Sequence, residues 1–149
     1  MITESRGGFL GSPLSFMTKE FYIQIACNEL LNALTEIYNF RHYHVANEGK
    51  RSVQYLIKLK KMGFLAGVPD FIIEYPEGRL LYVELKNEKG KLTDAQKIWK
   101  IRSSDLKTPF FVVKGNTKQC LTELTEIIDQ YVPRNRHRKR QENISATGN

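Results

Sequence analysis

The sequence predicts an α/β fold in which a small mixed β-sheet is flanked by helices. Segments with a helical apolar period alternate with β-rich runs, in the order helix, strand, helix, hairpin, helix, strand, helix. The 149 residues suffice for one domain, and 41% hydrophobic and 26% charged residues are typical of soluble globular proteins. Because the sequence shows no secretory signal and no membrane-spanning apolar run, we expect a cytoplasmic protein, a viral protein acting in the host cytoplasm, or a nuclear protein in a eukaryote.

The first half of the chain predicts two helices and one short strand. Apolar residues recur at helical spacing from about Thr18, which is an N-cap candidate, to Phe40. Residues 41–45 alternate in polarity and predict a short strand. A polar turn at 46–52 then leads into a second helix that ends near Met62.

The second half predicts a β-hairpin followed by a helix, a strand and a helix. The turn residues and apolar runs set the boundaries. In order, the elements are a strand at 70–75, a turn at Pro76-Glu77-Gly78, a strand at 79–86, a helix capped by Thr93 or Asp94 and running to about Leu106, an apolar strand covered on both faces at 109–113, and a helix from about Thr117 that is ended by Pro133.

The folded domain is predicted to span residues 18–132. We expect a flexible leader at 1–17 and a basic disordered tail at 133–149, which holds five basic residues and one acidic residue. The net charge of +7 favours a polyanionic partner, nucleic acid before membrane. Cys27 and Cys120 each lie in a helical pattern, which argues against a cysteine zinc site and predicts reduced, buried thiols.

Three charged residues of the hairpin, Asp70, Glu84 and Lys86, fall among residues that should be buried. Burying a charge is costly unless the charge is paired or coordinates a metal. If the turn is centred on Glu77, Asp70 lies directly opposite Glu84, and Lys86 points to the same face as Glu84. A turn centred between Glu77 and Gly78 would place Leu85 opposite Asp70 instead.

The first of these registers predicts a metal-dependent site for phosphodiester hydrolysis. Two carboxylates so close repel each other unless a cation lies between them, and Mg²⁺ prefers such oxygen ligands. The backbone carbonyl of Leu85 is a further candidate ligand. Lys86 could orient the attacking water or stabilise charge on the phosphoryl oxygens. Taken singly, the Asp at a strand start is also compatible with a cap, and the Glu-x-Lys with an exposed ion pair.

These motifs, taken together, resemble those of a nuclease family. Gly67-Val68-Pro69-Asp70, Glu84-Leu85-Lys86 and the segment GKLTDAQ at 90–96 resemble the core of PD-(D/E)XK nucleases, and specifically the stand-alone members of the VRR-NUC family. The turn NEGKR at 47–51 and the pair Glu20 and Gln24 match further positions of that family. The resemblance implies a restriction-endonuclease-like fold for residues 18–132, dependence on Mg²⁺ or Mn²⁺, and active-site roles for Asp70, Glu84, Lys86 and Gln96.

Several other residues receive roles from this resemblance or from their charge. Glu20 is a candidate for the outer metal coordination sphere, with a favourable first-turn charge as the alternative. Glu48 is interpreted as a turn residue, with a metal ligand as the alternative, and Gln96 as a hydrogen-bond partner of a phosphate or a metal-bound water. His42 and His44 are interpreted as surface or DNA-contact residues. Lys50, Arg51, Lys58 and Lys61 are predicted to bind DNA, and the last three fall near one helix face that could also be simply solvated.

The sequence therefore predicts a metal-dependent DNA endonuclease. The resemblance implies action on Holliday-junction-like or other branched DNA by a homodimer. The alternatives are a restriction or repair-type endonuclease that cuts duplex DNA, and a non-catalytic nucleic-acid-binding protein that keeps a nuclease fold.

Overall fold

The chain forms a four-stranded mixed sheet with four helices, in a computed structural model that describes residues 18–45 and 51–136. The strand order is β1-β2-β3-β4, with β1–β2 and β2–β3 antiparallel and β3–β4 parallel. The predicted α/β class and order of elements are confirmed. The elements are α1 (Lys19–Leu34), β1 (Arg41–His44), α2 (Val53–Lys61), β2 (Phe71–Tyr75), β3 (Arg79–Lys86), α3 (Asp94–Asp105), β4 (Phe110–Lys114) and α4 (Thr117–Tyr131). Across the part of the chain that the structure describes, no helix combines the length and apolarity needed to cross a bilayer.

The register of the central hairpin is the one predicted from a turn centred on Glu77. Phe71 pairs with Val83, and Tyr75 pairs with Arg79. The turn uses positive φ angles of 71° at Glu77 and 66° at Gly78. The antiparallel register therefore places Asp70 and Glu84 opposite each other, one step beyond the pair that Phe71 forms with Val83.

The hydrophobic core lies between the sheet and the pair of helices α1 and α4. Alternate residues of β3, namely Leu81, Val83 and Leu85, are buried in it, as period-two alternation requires. Cys27 and Cys120 meet there as fully buried free thiols, which confirms their predicted burial. Burial, together with the nearby Cys120 and Asp70, raises the pKa of Cys27 to about 12, so this thiol is not a reactive nucleophile.

Three features differ from the predictions: the end of the first helix, the burial of the strand at 109–113, and the extent of the contacts after Val132. The first helix ends at Leu34, and Thr35 begins a turn that leads to β1. The apolar run at 109–113 forms a strand in which only Val113 is buried among its apolar residues, since β4 is at the edge of the sheet formed by the described residues. Beyond Val132, Arg134 forms a β-bridge with Tyr38 and Asn135 donates its backbone N–H to Ile37, so the ordered chain continues past the predicted boundary.

Helix α2 stands on the outside of the domain. Ser52 is its N-cap, so Arg51 precedes the helix. The prediction that Arg51 shares a helix face with Lys58 and Lys61 is therefore wrong. No residue of α2 is buried. The leader, Glu48, Lys50 and the part of the tail after residue 136 lie outside the described residues.

A close approach between Gly67 and helix α3 positions the functional site. Gly67 has a φ of +81°, and a Cβ there would lie 2.4 Å from the carbonyl carbon of Ala95 and 2.8 Å from the backbone N of Gln96. Only glycine allows α3 to begin this near to the strand that carries Asp70. Thr93 caps α3 in a capping box with Gln96, which confirms the predicted start of this helix.

We expect Gly67→Ala to destabilise the protein by several kcal/mol, because a left-handed alanine costs about 1–2 kcal/mol and overpacking costs about 1–3 kcal/mol more. Gly63→Ala is the matched control, since Gly63 has a φ of +90° and nothing within 4 Å of the added Cβ. Urea unfolding should show a loss of only about 1 kcal/mol for the control. Equal losses in the two variants would contradict the close approach of α3.

Candidate active site

Glu84 is a carboxylate with only 1% of its surface exposed, located on the central strand β3. Its Oε1 atom pairs with Nζ of Lys86 at 2.9 Å and accepts a short hydrogen bond from Nε2 of Gln96. Its Oε2 atom is buried and has no hydrogen-bond partner within the described residues. A buried carboxylate oxygen without a partner is costly, so this atom points to a ligand that would satisfy it.

Asp70 lies beside Glu84 at the start of β2. Its Oδ2 atom accepts a hydrogen bond of 2.7 Å from the backbone N–H of Leu85, which fixes the carboxylate against the end of β3. Burial raises the pKa of Glu84 to about 7, and the negative charge of Asp70 adds to this increase, while Lys86 and a hydrogen bond from the backbone of Asp70 oppose it. The two carboxylates therefore destabilise each other's charge unless a cation lies between them.

Lys86 remains a cation in this arrangement. Burial disfavours its charge, but the hydrogen bond and the charge of Glu84 outweigh burial, and the pKa of Lys86 is raised. Glu20 and Asp70 contribute in the same direction. Lys86 can thus donate to a phosphoryl oxygen or to a water, and it does not supply a basic nitrogen at neutral pH.

Gln96 joins helix α3 to the buried carboxylate. Its Oε1 atom accepts the backbone N–H of Thr93 at 2.8 Å, and its Nε2 atom donates to Glu84. The capping box thus positions Gln96 so that its Nε2 atom donates to Oε1 of Glu84. Gln96, which the sequence assigned to the site, lines the same pocket as Glu84, and its partners here are Thr93 and Glu84.

Glu20 and Gln24 approach the same place from the first turns of α1. Oε1 of Glu20 lies 3.3 Å from both the backbone N and the Nδ2 of Asn87. Gln24 lies one turn further along, with its carboxamide 2.8 Å from His44. Glu20 is therefore at the rim of the site and is held by the loop that follows β3.

These side chains surround one polar pocket of about 210 Å³. The structure brings together all of the predicted catalytic residues. The sequence predicted His44 as a surface or DNA-contact residue, yet it also lines this pocket, and the signal that could have shown this is its strand position beside β2. The lining residues are Glu20, Gln24, His44, Val45, Gly67, Val68, Asp70, Glu84, Leu85, Lys86, Thr93 and Gln96.

The residues present fit a hard divalent cation. The donor set combines two carboxylates with one unpartnered oxygen, and Mg²⁺ accepts such a set because it retains several waters. No group of three or more His, Cys, Asp or Glu side chains that could hold a metal ion occurs within residues 18–45 and 51–136. The ligand set would therefore be completed by backbone oxygen, water or substrate phosphate.

Arg51, Lys58 and Lys61, the predicted DNA-binding residues that the structure describes, do not line this pocket. Lys58 and Lys61 lie on α2, where no residue is buried, and neither lines the pocket. The guanidinium of Arg51 lies 5.8 Å from the ring centroid of Tyr55 and 5.6 Å from that of Phe64. Arg51 is therefore held against aromatic rings at the start of α2.

A mixed sheet that presents an Asp and a Glu-x-Lys on neighbouring strand ends, with a helical Gln beside them, defines a PD-(D/E)XK nuclease. The family model described as "VRR-NUC domain" matches residues 22–117. The chain belongs to the VRR-NUC family, and its domain is of the nuclease class. A solved structure described as "VRR_NUC domain" has 24% sequence identity and a TM-score of 0.49, and the match covers 77% of this chain and 99% of that chain. A search among curated proteins found no match.

Because burial raises the pKa of Glu84, the free energy of unfolding of the metal-free protein should depend on pH. Between pH 4.5 and about 7 the folded state binds more protons at Glu84 than the unfolded state does. The free energy of unfolding should therefore fall as pH rises through this range, by about 1.4 kcal/mol for each unit of pKa shift. Glu84→Gln should remove this slope in urea unfolding measured in EDTA.

Glu77→Gln is the control, since Glu77 is an exposed carboxylate at the hairpin turn. It should retain the wild-type slope. Parallel pH curves for the wild type and Glu84→Gln would contradict the burial of Glu84 as a carboxylate.

Proposed function

We propose that this protein is a metal-dependent DNA endonuclease that cuts branched DNA, such as a Holliday junction, as a homodimer. The observation that carries the metal and the chemistry is the buried Oε2 of Glu84 opposite Asp70, which has no hydrogen-bond partner among the residues that the structure describes. A module that only binds DNA gains nothing from clustered carboxylates near phosphates, because they repel the ligand. The geometry thus favours hydrolysis over binding alone.

Asp70, Oε2 of Glu84 and the backbone carbonyl of Leu85 would hold Mg²⁺, for which Mn²⁺ could substitute. Glu20 would act from the outer coordination sphere while it remains bound to Asn87. When bound, the cation polarises the phosphoryl oxygen and lowers the pKa of the attacking water. Lys86 donates from the opposite side of Glu84 and stabilises the negative charge that develops on the phosphoryl oxygens.

Gln96 and Lys86 together determine which oxygen of Glu84 is left to bind a cation. Both donate to Oε1, and Lys86 does so at 2.9 Å. The carboxylate is therefore oriented before any ligand binds, because two donors hold one of its oxygens and leave the other. Such preorganisation avoids reorganisation during the reaction.

A basic surface on α2 would bind the phosphate backbone of the DNA. Lys58 and Lys61 lie on this outer helix, and Arg51 directly follows Lys50 in the chain. The net charge of +7 supports a polyanionic partner.

Binding to DNA measured in EDTA should weaken steeply as the salt concentration rises, because phosphate contacts release counterions. The double variant of Lys58 and Lys61 to Ala should reduce that slope, since it removes two such contacts. Fluorescence anisotropy over a salt series measures both slopes. An unchanged slope would remove these lysines from the interface.

Symmetric cutting of a junction needs two active sites, which a homodimer supplies. Helix α3 exposes Ile98 at 56% and Ile101 at 63%, and Leu106 after it at 76%. Exposed apolar residues along one element are typical of an interaction surface. Sedimentation equilibrium tests the dimer, and a monomer both alone and on junction DNA would contradict it.

Asp70→Asn and Lys86→Ala should each lower the cleavage rate on junction DNA in Mg²⁺ by at least about 10²- to 10³-fold, because each removes charge that stabilises the reacting phosphate. Lys114→Ala is the matched control for Lys86. Lys114 pairs in register with Lys86 on the neighbouring strand, is exposed and does not line the pocket. The assay compares junction, flap, single-stranded and duplex DNA, with Mg²⁺ or with EDTA.

The wild type and Lys114→Ala should cut at the same rate, and EDTA should abolish cutting. Cleavage in EDTA, or by Asp70→Asn at the wild-type rate, would contradict the mechanism. Equal rates on all four substrates would leave a nuclease and remove the preference for branched DNA. Faster cutting of plain duplex would favour a restriction or repair-type enzyme.

A further inference from the structure

His44 lies in the active-site pocket although it comes from the sheet edge strand β1. The antiparallel register pairs His44 with Phe71, the residue after Asp70. As a result, Nδ1 of His44 lies 2.6 Å from the backbone carbonyl oxygen of Asp70. The imidazole also packs against the ring of Phe71, with the centroids 6.1 Å apart. Its position is therefore fixed by both polar and aromatic contacts.

The contact with Asp70 determines the tautomer of His44. A carbonyl oxygen can only accept, so Nδ1 at 2.6 Å must carry the hydrogen. Nε2 of Gln24 lies 2.8 Å from the same nitrogen. Because the N and O of a carboxamide are assigned from hydrogen bonding, exchanging them places Oε1 of Gln24 where it accepts from Nδ1 of His44. In the neutral ring Nε2 then carries a lone pair. None of the described residues pairs with Nε2.

Other polar groups of the pocket have hydrogen-bond partners, and Oε2 of Glu84 is assigned to the cation. Lys86 is a donor, Oε1 of Glu84 accepts from both Lys86 and Gln96, and Oδ2 of Asp70 accepts from Leu85. A water that attacks a phosphate needs an acceptor for one of its hydrogens, so that its lone pair points at phosphorus. Nε2 of His44 can serve as this acceptor, because His44 lines the pocket and is not among the groups assigned to the cation.

We propose that Nε2 of His44 accepts a hydrogen bond from the attacking water and orients it, which makes His44 a catalytic residue. This inference rests on the proposed nuclease function, which it extends by one residue. It also gives the polar contacts that Gln24 and the Asp70 carbonyl make with Nδ1 of His44 a purpose: they fix the ring at the wall of the pocket.

His42 provides a matched control on the same strand. Its Nε2 lies 3.1 Å from Oδ1 of Asn28, and His42 does not line the pocket. The two histidines are two residues apart, and both pack edge-on against Phe71. A substitution at either position therefore removes a comparable ring from β1, and only the change at His44 removes a group from the site.

The test compares wild type, His44→Ala and His42→Ala on junction DNA in Mg²⁺. We expect His44→Ala to lower kcat by about 10²-fold, with KM changed less than about threefold. His42→Ala should retain the wild-type kcat. Thermal unfolding and DNA binding in EDTA should show that His44→Ala is folded and binds DNA as the wild type does. Should His44→Ala not fold, His44→Ser is assayed in the same way.

Chemical rescue distinguishes two possible roles of the His44 ring: accepting a hydrogen bond from the water, or donating one to the backbone carbonyl of Asp70. N-methylimidazole supplies an acceptor nitrogen and no N–H, whereas imidazole supplies both. Recovery of kcat in His44→Ala with N-methylimidazole supports the proposal, whereas recovery with imidazole alone points to a support for Asp70 and overturns it. No recovery with N-methylimidazole, or an unchanged kcat in His44→Ala, overturns it. Absence of metal-dependent cutting by the wild type would overturn the nuclease function and this inference together, whereas an active wild type and an equally active His44→Ala overturn this inference alone.

Discussion

The burial of the Glu84 carboxylate opposite Asp70 is the constraint on which the rest of the structure depends. Two carboxylates on neighbouring strands repel each other, and burial adds to the cost by raising the pKa of Glu84. Lys86 and Gln96 compensate for only one oxygen of Glu84. The other oxygen is buried and has no partner among the described residues. The described residues thus leave Oε2 of Glu84 unsatisfied, and a cation between the carboxylates would complete the site.

The two faces of β3 have different roles: one packs in the hydrophobic core, and the other carries charged residues of the site. Leu81, Val83 and Leu85 point into the core formed with α1 and α4, and this apolar burial supplies the stability that the polar site reduces. Glu84 and Lys86 point to the other face, where the start of α3 covers them. Because Gly67 has no side chain, backbone atoms of α3 can approach the backbone of Gly67, and the start of α3 can lie over the site. A strongly packed core therefore supports a site that is poorly satisfied without its ligand.

The local parts of this arrangement could be predicted from the sequence, and the non-local parts could not. A short turn and alternation limit the hairpin to two registers, and the structure has the one that places Asp70 opposite Glu84. His44 reaches the site through the pairing of β1 with β2, across a connection that includes α2, and no sequence pattern specifies that pairing. The same holds for Arg134 and Asn135, whose contacts with Tyr38 and Ile37 lie about a hundred residues away in the chain.

The most direct test is to locate the cation by anomalous diffraction from crystals of the wild type and of Glu84→Gln grown with Mn²⁺. We expect, in the wild type, a peak between Asp70 and Oε2 of Glu84, at roughly 2.0–2.3 Å from each carboxylate. We expect a much weaker peak, or none, in Glu84→Gln. A wild type without a peak in this pocket, or an equally strong peak in both proteins, would contradict the claim that the buried oxygen of Glu84 exists to bind a metal.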